Sequence, residues 1–365
     1  MAKSFSEKPK ALVYRPCSRA WVPGKGDAKV SVMNTVHSVW WDRSGAEAAL
    51  ALWPALPGLR TGEERVAVLA RAQDQLGRGV LSWPDAVAPD RRVALSVHGA
   101  AVAAHIAARL AARQATAGPL RLLLNGAQGS GKSTLAQLLE DQLSVLGVSS
   151  ACLALDDFYL PKAARARLGA EVHPLLRTRG VPGTHDIEAL TAAVRALGER
   201  GPPLALPVFD KATDDRQGER KWLTRPRACV LLEGWCVGAP GAPPGESAAP
   251  LNALEAEEDR DGRWRAAVEA ALAEPYRALF ADFSDLIMLK VPSFESVYRF
   301  REAQEAALRS RSPSAMRPEA VRRFIAHYER LTRRQLACLP AEAALCLSLN
   351  EDHAITAVTG PGIQG

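Results

Sequence analysis

Leu120-Arg121-Leu122-Leu123-Leu124-Asn125-Gly126-Ala127-Gln128-Gly129-Ser130-Gly131-Lys132-Ser133-Thr134 decides the reading of this chain. Leu120 to Asn125 is a short apolar run ending in glycine, as expected of a buried strand. After Ser133, residues Leu135, Leu138, Leu139, Leu143 and Leu146 recur on one helical face, and Gly147 supplies the stop. Between strand and helix lies a full GxxxxGK[ST], the phosphate-binding P-loop pattern. Its glycines let backbone N–H groups converge on a polyphosphate, and the helix N-terminus adds partial positive charge. Gly126, Ala127, Gln128, Gly129, Ser130, Gly131, Lys132, Ser133 and Thr134 are therefore the expected ATP cradle, with Lys132 on the terminal phosphates and Ser133 on Mg²⁺.

A P-loop alone does not separate a kinase from a GTPase, a motor or a transporter ATPase, and the rest of the chain decides. No NKxD guanine-reading sequence and no LSGGQ-type sequence follows it. Three more apolar runs of strand length, Ala151 to Leu155, Ala228 to Leu232 and Leu286 to Leu289, alternate with helical patterns such as Ile187 to Leu197 and Phe294 to Leu308. The alternation predicts an α/β fold: a parallel sheet flanked by helices, with an N-terminal helical appendage and a C-terminal helical lid region.

Two of these runs end in carboxylates, which places acid groups at the carboxyl edge of the sheet, where such folds bind ligands. Asp156-Asp157-Phe158-Tyr159 follows the second strand. Asp156 is the expected base for an attacking hydroxyl, with Asp157 as its helper or a metal-water contact; the pair also suits a helix cap or the Walker B strand of a mechanical ATPase. Glu233-Gly234-Trp235 ends the third run, and Glu233 is the expected partner of Mg²⁺ through water.

Length and composition fit this picture. The 365 residues, 47% of them hydrophobic, can bury one large or two ordinary domains. No apolar run reads as a membrane span and no signal peptide is evident, so a cytoplasmic location is expected. The six cysteines form no CxxC pair and are expected to be reduced thiols. The net charge of +6 is spread among acids without an aromatic-interleaved basic block, which favours a small anionic substrate over nucleic acid.

Residues 1–60 read as tail and loops, with Met33 an alternative start; 61–117 as a helical appendage, with helices at Glu63 to Leu76 and Val93 to Ala112; 118–350 as the kinase domain; and 351–365 as a C-terminal tail. Ala239 to Glu258 reads as a long loop and Arg317 to Leu336 as one Arg-rich helix.

Further motifs carry a resemblance. Arg179-Gly180-Val181-Pro182-Gly183-Thr184-His185-Asp186, Pro207-Val208-Phe209-Asp210-Lys211 with Asp214, Arg216 and Arg220, and Glu233-Gly234-Trp235 resemble successive motifs of the D-glycerate 3-kinase-like P-loop kinases. Pro250 to Glu255, Pro292-Ser293-Phe294-Glu295, Arg301 with Gln304-Glu305, and His327-Tyr328-Glu329-Arg330 with Thr332 extend it over roughly residues 95 to 350. Phe300 and Glu219 depart from the Trp and Asp usual there. The resemblance implies phosphoryl transfer from Mg-ATP to a hydroxyl of D-glycerate, giving 3-phosphoglycerate. It also implies kinship with uridine, pantothenate and phosphoribulose kinases, in which an aspartate at the position of Asp156 is the base.

The residues have a chemical reading of their own. A glycerate carboxylate needs a cation, for which Lys211, Arg216, Arg179 and Arg301 are candidates. Hydroxyl groups suit His185, Asp186 and Asp210, and Asp157 and Tyr159 complete the expected acceptor set, although Asp186 equally suits a helix cap. Arg301 is the expected stabiliser of the transferring phosphoryl group when a lid closes. Two rivals stand beside this reading: a kinase of the same fold acting on a nucleoside, pantothenate-like acid or sugar, and an ATPase acting on a macromolecule through the Arg-rich helix.

Overall fold

The computed structural model describes residues 41–79, 89–114, 118–218, 220–243, 245–246, 249–309 and 315–360. The expectations for Met33, Cys17, Glu219 and most of the N-terminal tail fall outside them. The helices are α1 (Arg43–Ala51), α2 (Gly62–Gly77), α3 (Pro89–Ala111), α4 (Lys132–Val145), α5 (Lys162–Glu171), α6 (Ile187–Leu197), α7 (Ala253–Glu258), α8 (Arg263–Ala271), α9 (Arg277–Phe280), α10 (Phe294–Arg309), α11 (Pro318–Ala326) and α12 (Glu329–Glu342). The strands are β1 (Leu120–Gly126), β2 (Ser150–Ala154), β3 (Leu204–Leu206), β4 (Phe209–Asp210), β5 (Asp215–Arg216), β6 (Lys221–Leu223), β7 (Cys229–Gly234), β8 (Asp285–Lys290), β9 (Leu345–Leu349) and β10 (Ile355–Thr359).

Six strands form the central sheet in the order β10-β9-β8-β1-β7-β2. All neighbours are parallel except β10, which runs antiparallel to β9. The strands with continuous apolar runs lie in the middle, covered on both faces, as parallel sheets require. The two-residue period of a strand sorts their side chains. Leu120, Leu122 and Leu124 of β1, with Leu231, Ile287 and Leu289, face one core built with α1 to α4. Leu123, with Val230, Leu232, Leu286 and Met288, faces the other, built with α6, α8 and α12.

Several expectations are corrected here. Residues 41–60 are not all loop: α1 and Trp53 pack into the first core. The N-terminal helices α2 and α3 pack closely onto the P-loop helix. Val93, Val97 and Ile106 share a core with Leu135 and Leu139 of the P-loop helix, and the buried Gln75 amide donates to the Leu138 carbonyl and Asp141. By length and hydropathy α3 could cross a bilayer, contrary to the reading of no such run, but most of it is buried against these neighbours. The C-terminal tail contains β10, whose Ile355 and Val358 close the sheet edge. The end of the 239–258 loop is α7, with the Asn252 side chain accepting Glu255 N–H as its cap.

The Arg-rich segment is two helices, α11 and α12, broken at His327 and Tyr328. The break aims the fully buried Tyr328 inward, where it meets Trp235 edge-on and donates to the Arg179 carbonyl. Tertiary packing thus overrides a helical periodicity that runs straight through. Four arginines of this segment are engaged by acids: Arg323 with Glu258, Arg330 with Glu255, Arg333 with Glu295 and Glu329, and Arg334 with Glu269 and Glu246.

Candidate active site

The carboxyl ends of β1, β2 and β7 converge on one cavity of about 260 Å³, bordered by the P-loop on one side and by Asp156, Lys211 and Arg179 on the other. Trp235, Arg301, Gln304, Phe324 and Tyr328 complete its wall. The P-loop turns where its glycines permit. Gly129 has φ +79, and a Cβ there would lie 2.8 Å from Cβ of Phe300, so α10 packs directly against the loop. Gln128, Gly129, Gly131, Lys132, Ser133 and Thr134 face the cavity, whereas Gly126, Ala127 and Ser130 form the supporting turn behind it.

Glu233 lands beside the P-loop because β7 is the hydrogen-bonded neighbour of β1, with Glu233 opposite Leu124. Its Oε1 accepts a 2.8 Å hydrogen bond from Ser133 Oγ. Burial raises the Glu233 pKa, an effect that the charge of Lys132 partly offsets. A hydroxyl and a carboxylate are hard oxygen donors, and together they fit a Mg²⁺ ion that keeps several of its waters.

Asp156 sits in a short 3₁₀ turn after β2. Tyr159 OH donates to its Oδ1 at 2.9 Å and Lys211 Nζ to its Oδ2 at 2.7 Å. Burial pushes its pKa up, but the neighbouring charges of Lys211 and Lys132 win and hold the carboxyl well below the usual range. Lys211 stands on the turn between β4 and β5. That turn is fixed at Asp214 by the buried Arg165 and by Arg179.

Other expected acceptor residues do not reach the cavity. Asp186 caps α6, accepting Ala189 N–H at 3.0 Å, and pairs with Arg216. Arg216 also donates to the carbonyls of Tyr159 and Phe158. Asp210 is half-buried and accepts from Ala212 N–H and the Thr213 hydroxyl, closing its own turn. Asp157 accepts a long 3.4 Å bond from Phe209 N–H, and burial raises its pKa. His185 is buried behind the cavity, stacked on Tyr159, with Nδ1 2.6 Å from the Tyr276 hydroxyl. Burial holds its imidazole down to about 3, so it is neutral. These five residues brace the site rather than line it. Among the expected substrate residues, Tyr159, Arg179 and Lys211 do line it.

Arg301 faces the cavity while paired with Glu305 and lying 5.7 Å over the Phe324 ring. Sequence reading missed Phe324, Tyr276 and His353. The His353 ring lies 3.5 Å from that of Phe300, and its Nε2 is 3.0 Å from the Gly129 carbonyl. No motif marks it, because it sits at a turn between two strands of which one was read as tail.

The cavity unites a P-loop, a hydroxyl–carboxylate pair fit for a cation and an aspartate held by a tyrosine and a lysine, an arrangement that defines a P-loop kinase of small molecules. No protein-family model matches the chain. It is similar to the uncharacterized kinase mug58 of Schizosaccharomyces pombe, with 33% identity over 230 residues, 58% of this chain and 78% of that one. It also matches the chloroplastic D-glycerate 3-kinase of Arabidopsis thaliana, with 27% identity over 61% of this chain but only 49% of the relative. The solved D-glycerate 3-kinase of Cryptococcus neoformans var. grubii shares the fold, with a TM-score of 0.56, 22% identity and coverage of 82% of this chain and 99% of that one. The chain belongs to the D-glycerate 3-kinase-like family of P-loop kinases.

Proposed function

We propose that this kinase transfers the γ-phosphoryl group of Mg-ATP to the primary hydroxyl of D-glycerate, giving 3-phosphoglycerate. One observation carries the proposal: Asp156 shares its cavity with P-loop Lys132 and with two further cations, Lys211 and Arg179. A general base and carboxylate-binding groups therefore stand together beside the phosphate cradle. The names of the Arabidopsis and Cryptococcus relatives support the choice of glycerate.

In this mechanism Lys132 and the P-loop N–H groups hold the polyphosphate, and Lys211 and Arg179 hold the acceptor's carboxylate. Asp156 accepts the proton of the acceptor hydroxyl as its oxygen bonds to the γ-phosphorus. The bond from phosphorus to the β–γ bridging oxygen breaks, and ADP leaves with that electron pair. Arg301 stabilises the charge on the transferring group. Ser133 directly, and Glu233 through water, would hold Mg²⁺, which when bound neutralises charge on the β- and γ-phosphates.

The test is ADP release from Mg-ATP with D-glycerate, nucleosides, pantothenate and sugars, with Lys132→Ala and Asp156→Asn as controls. Glycerate-dependent release that both substitutions abolish is the expected result. Release with another alcohol alone would replace the substrate, and no response to any small acceptor would overturn the reading.

A further inference from the structure

Both oxygens of the proposed base are occupied. Tyr159 OH takes Oδ1 of Asp156 at 2.9 Å, and the Lys211 ammonium takes Oδ2 at 2.7 Å. An aspartate in this state is a poor base, because the ammonium fills the position where the acceptor's proton must arrive and favours the ionised carboxylate. Tyr159 is buried and belongs to the wall of the site, stacked on His185 and edge-on to Phe209. Lys211 is different: its side chain is 63% exposed.

The geometry around Lys211 makes it the movable member. Its turn is clamped at Asp214, which pairs with both Arg165 and Arg179, and is closed locally by Asp210 bonding Ala212 N–H and the Thr213 hydroxyl. The backbone is thereby fixed, which leaves the solvated four-carbon stem as the part with room to move. The ammonium already faces the cavity that Arg179 also lines. The ammonium is solvated while Asp156 is half-buried, and an incoming carboxylate that replaces Asp156 preserves an ion pair for Lys211, so the exchange of partners costs little net. A neutral alcohol offers no such partner.

We infer that Lys211 is a substrate-operated latch on Asp156: the carboxylate of the acceptor draws the ammonium away, and only then can Oδ2 accept the hydroxyl proton. The inference rests on the proposal that the acceptor is a hydroxy acid. It makes Lys211 a specificity-determining residue that selects in the chemical step as well as in binding, and it suppresses ATP hydrolysis when the site holds only water. With the latch open and no acceptor hydroxyl present, water takes its place. One water proton passes to Asp156, the water oxygen bonds to the γ-phosphorus, and ADP departs with the electrons of the broken bond.

The test uses the full-length chain with Mg-ATP and D-lactate, which keeps the carboxylate and 2-hydroxyl of glycerate but carries a methyl group in place of the primary alcohol. Wild type with D-lactate is expected to hydrolyse ATP about tenfold faster than without it, a fraction of what a positioned base contributes. Lys211→Met is expected to hydrolyse ATP at that raised rate without lactate and to gain nothing from it, while its KM for glycerate rises. Asp156→Asn combined with Lys211→Met should abolish the raised rate. Lys211 is exposed, so these variants should fold as wild type does. Failure of lactate to stimulate wild type, or a basal rate in Lys211→Met no higher than wild type, overturns the latch even if glycerate is phosphorylated. Conversely, lactate-stimulated hydrolysis, with the raised rate in Lys211→Met, by an enzyme that leaves glycerate unphosphorylated keeps the latch and removes glycerate as the substrate.

Discussion

Ser133 Oγ donates a 2.8 Å hydrogen bond to Glu233 Oε1, joining the first residues of α4 to the end of β7 across 100 positions of sequence. The pairing of β1 with β7 sets this relationship, and it brings together the two oxygen donors proposed for Mg²⁺. Glu233→Gln keeps the shape but removes the charge. The variant should bind Mg²⁺ about 10–100-fold more weakly, read as the Mg²⁺ concentration giving half-maximal ADP release, with thermal stability nearly unchanged.

Asp156→Asn retains a side chain that can still meet Tyr159 and Lys211 but cannot accept the proton. The expected loss is about 10²–10⁴-fold in kcat. Nucleotide affinity, measured by calorimetry with a non-hydrolysable ATP analogue, should change little. A variant retaining wild-type kcat would exclude Asp156 as the base.

Gly180 has φ +134, and a Cβ there would lie 2.0 Å from the Tyr328 hydroxyl. The backbone cannot move away cheaply, because the Gly180 carbonyl accepts from Trp235 Nε1 at 2.8 Å. Gly180→Ala is expected to cost about 1–3 kcal/mol or more in denaturant unfolding and to lower activity by displacing Tyr328 and Trp235 from the cavity wall.

Leu124 is fully buried at the centre of the sheet. Leu124→Ala should destabilise by about 2–5 kcal/mol, the usual range for a core leucine, visible as a fall in Tm.

Stability should fall in mild acid. His98 is buried and takes the Trp53 indole N–H on Nδ1, and burial pulls its pKa from 6.5 to about 3. The unfolded chain therefore binds a proton first as pH falls. The stability His98 contributes is complete above pH 6.5 and drains away as pH drops toward 3, amounting to about 2 kcal/mol lost at pH 5. His185, likewise held down to about 3, adds a similar loss. His98→Gln, which keeps an acceptor for Trp53, should flatten the change in denaturation midpoint between pH 7 and 5; an unchanged slope would contradict this origin.

What could be read in the sequence followed periodicity and local motifs. The P-loop and the carboxylates at or just past the carboxyl ends of β2 and β7 are contiguous signals, so Lys132, Asp156 and Glu233 could be named and placed at one sheet edge. What could not be read depends on tertiary packing. His185, Asp186 and Arg216 have the right chemistry for an acceptor, yet helix capping and burial turn them behind the cavity. The break at Tyr328 follows from its contact with Trp235, a partner 93 residues away in sequence, and helical periodicity cannot register it. Likewise β10 is a short polar-flanked segment whose strand character comes from the neighbouring β9.

The most direct test of the account is the position of the new phosphate, read by ³¹P and ¹H NMR after incubating the enzyme with Mg-ATP and D-glycerate. The account predicts phosphate on the primary oxygen, as 3-phosphoglycerate, and its disappearance in Asp156→Asn. Phosphate on the secondary oxygen, or no phosphorylated glycerate from an enzyme that binds nucleotide, would contradict it.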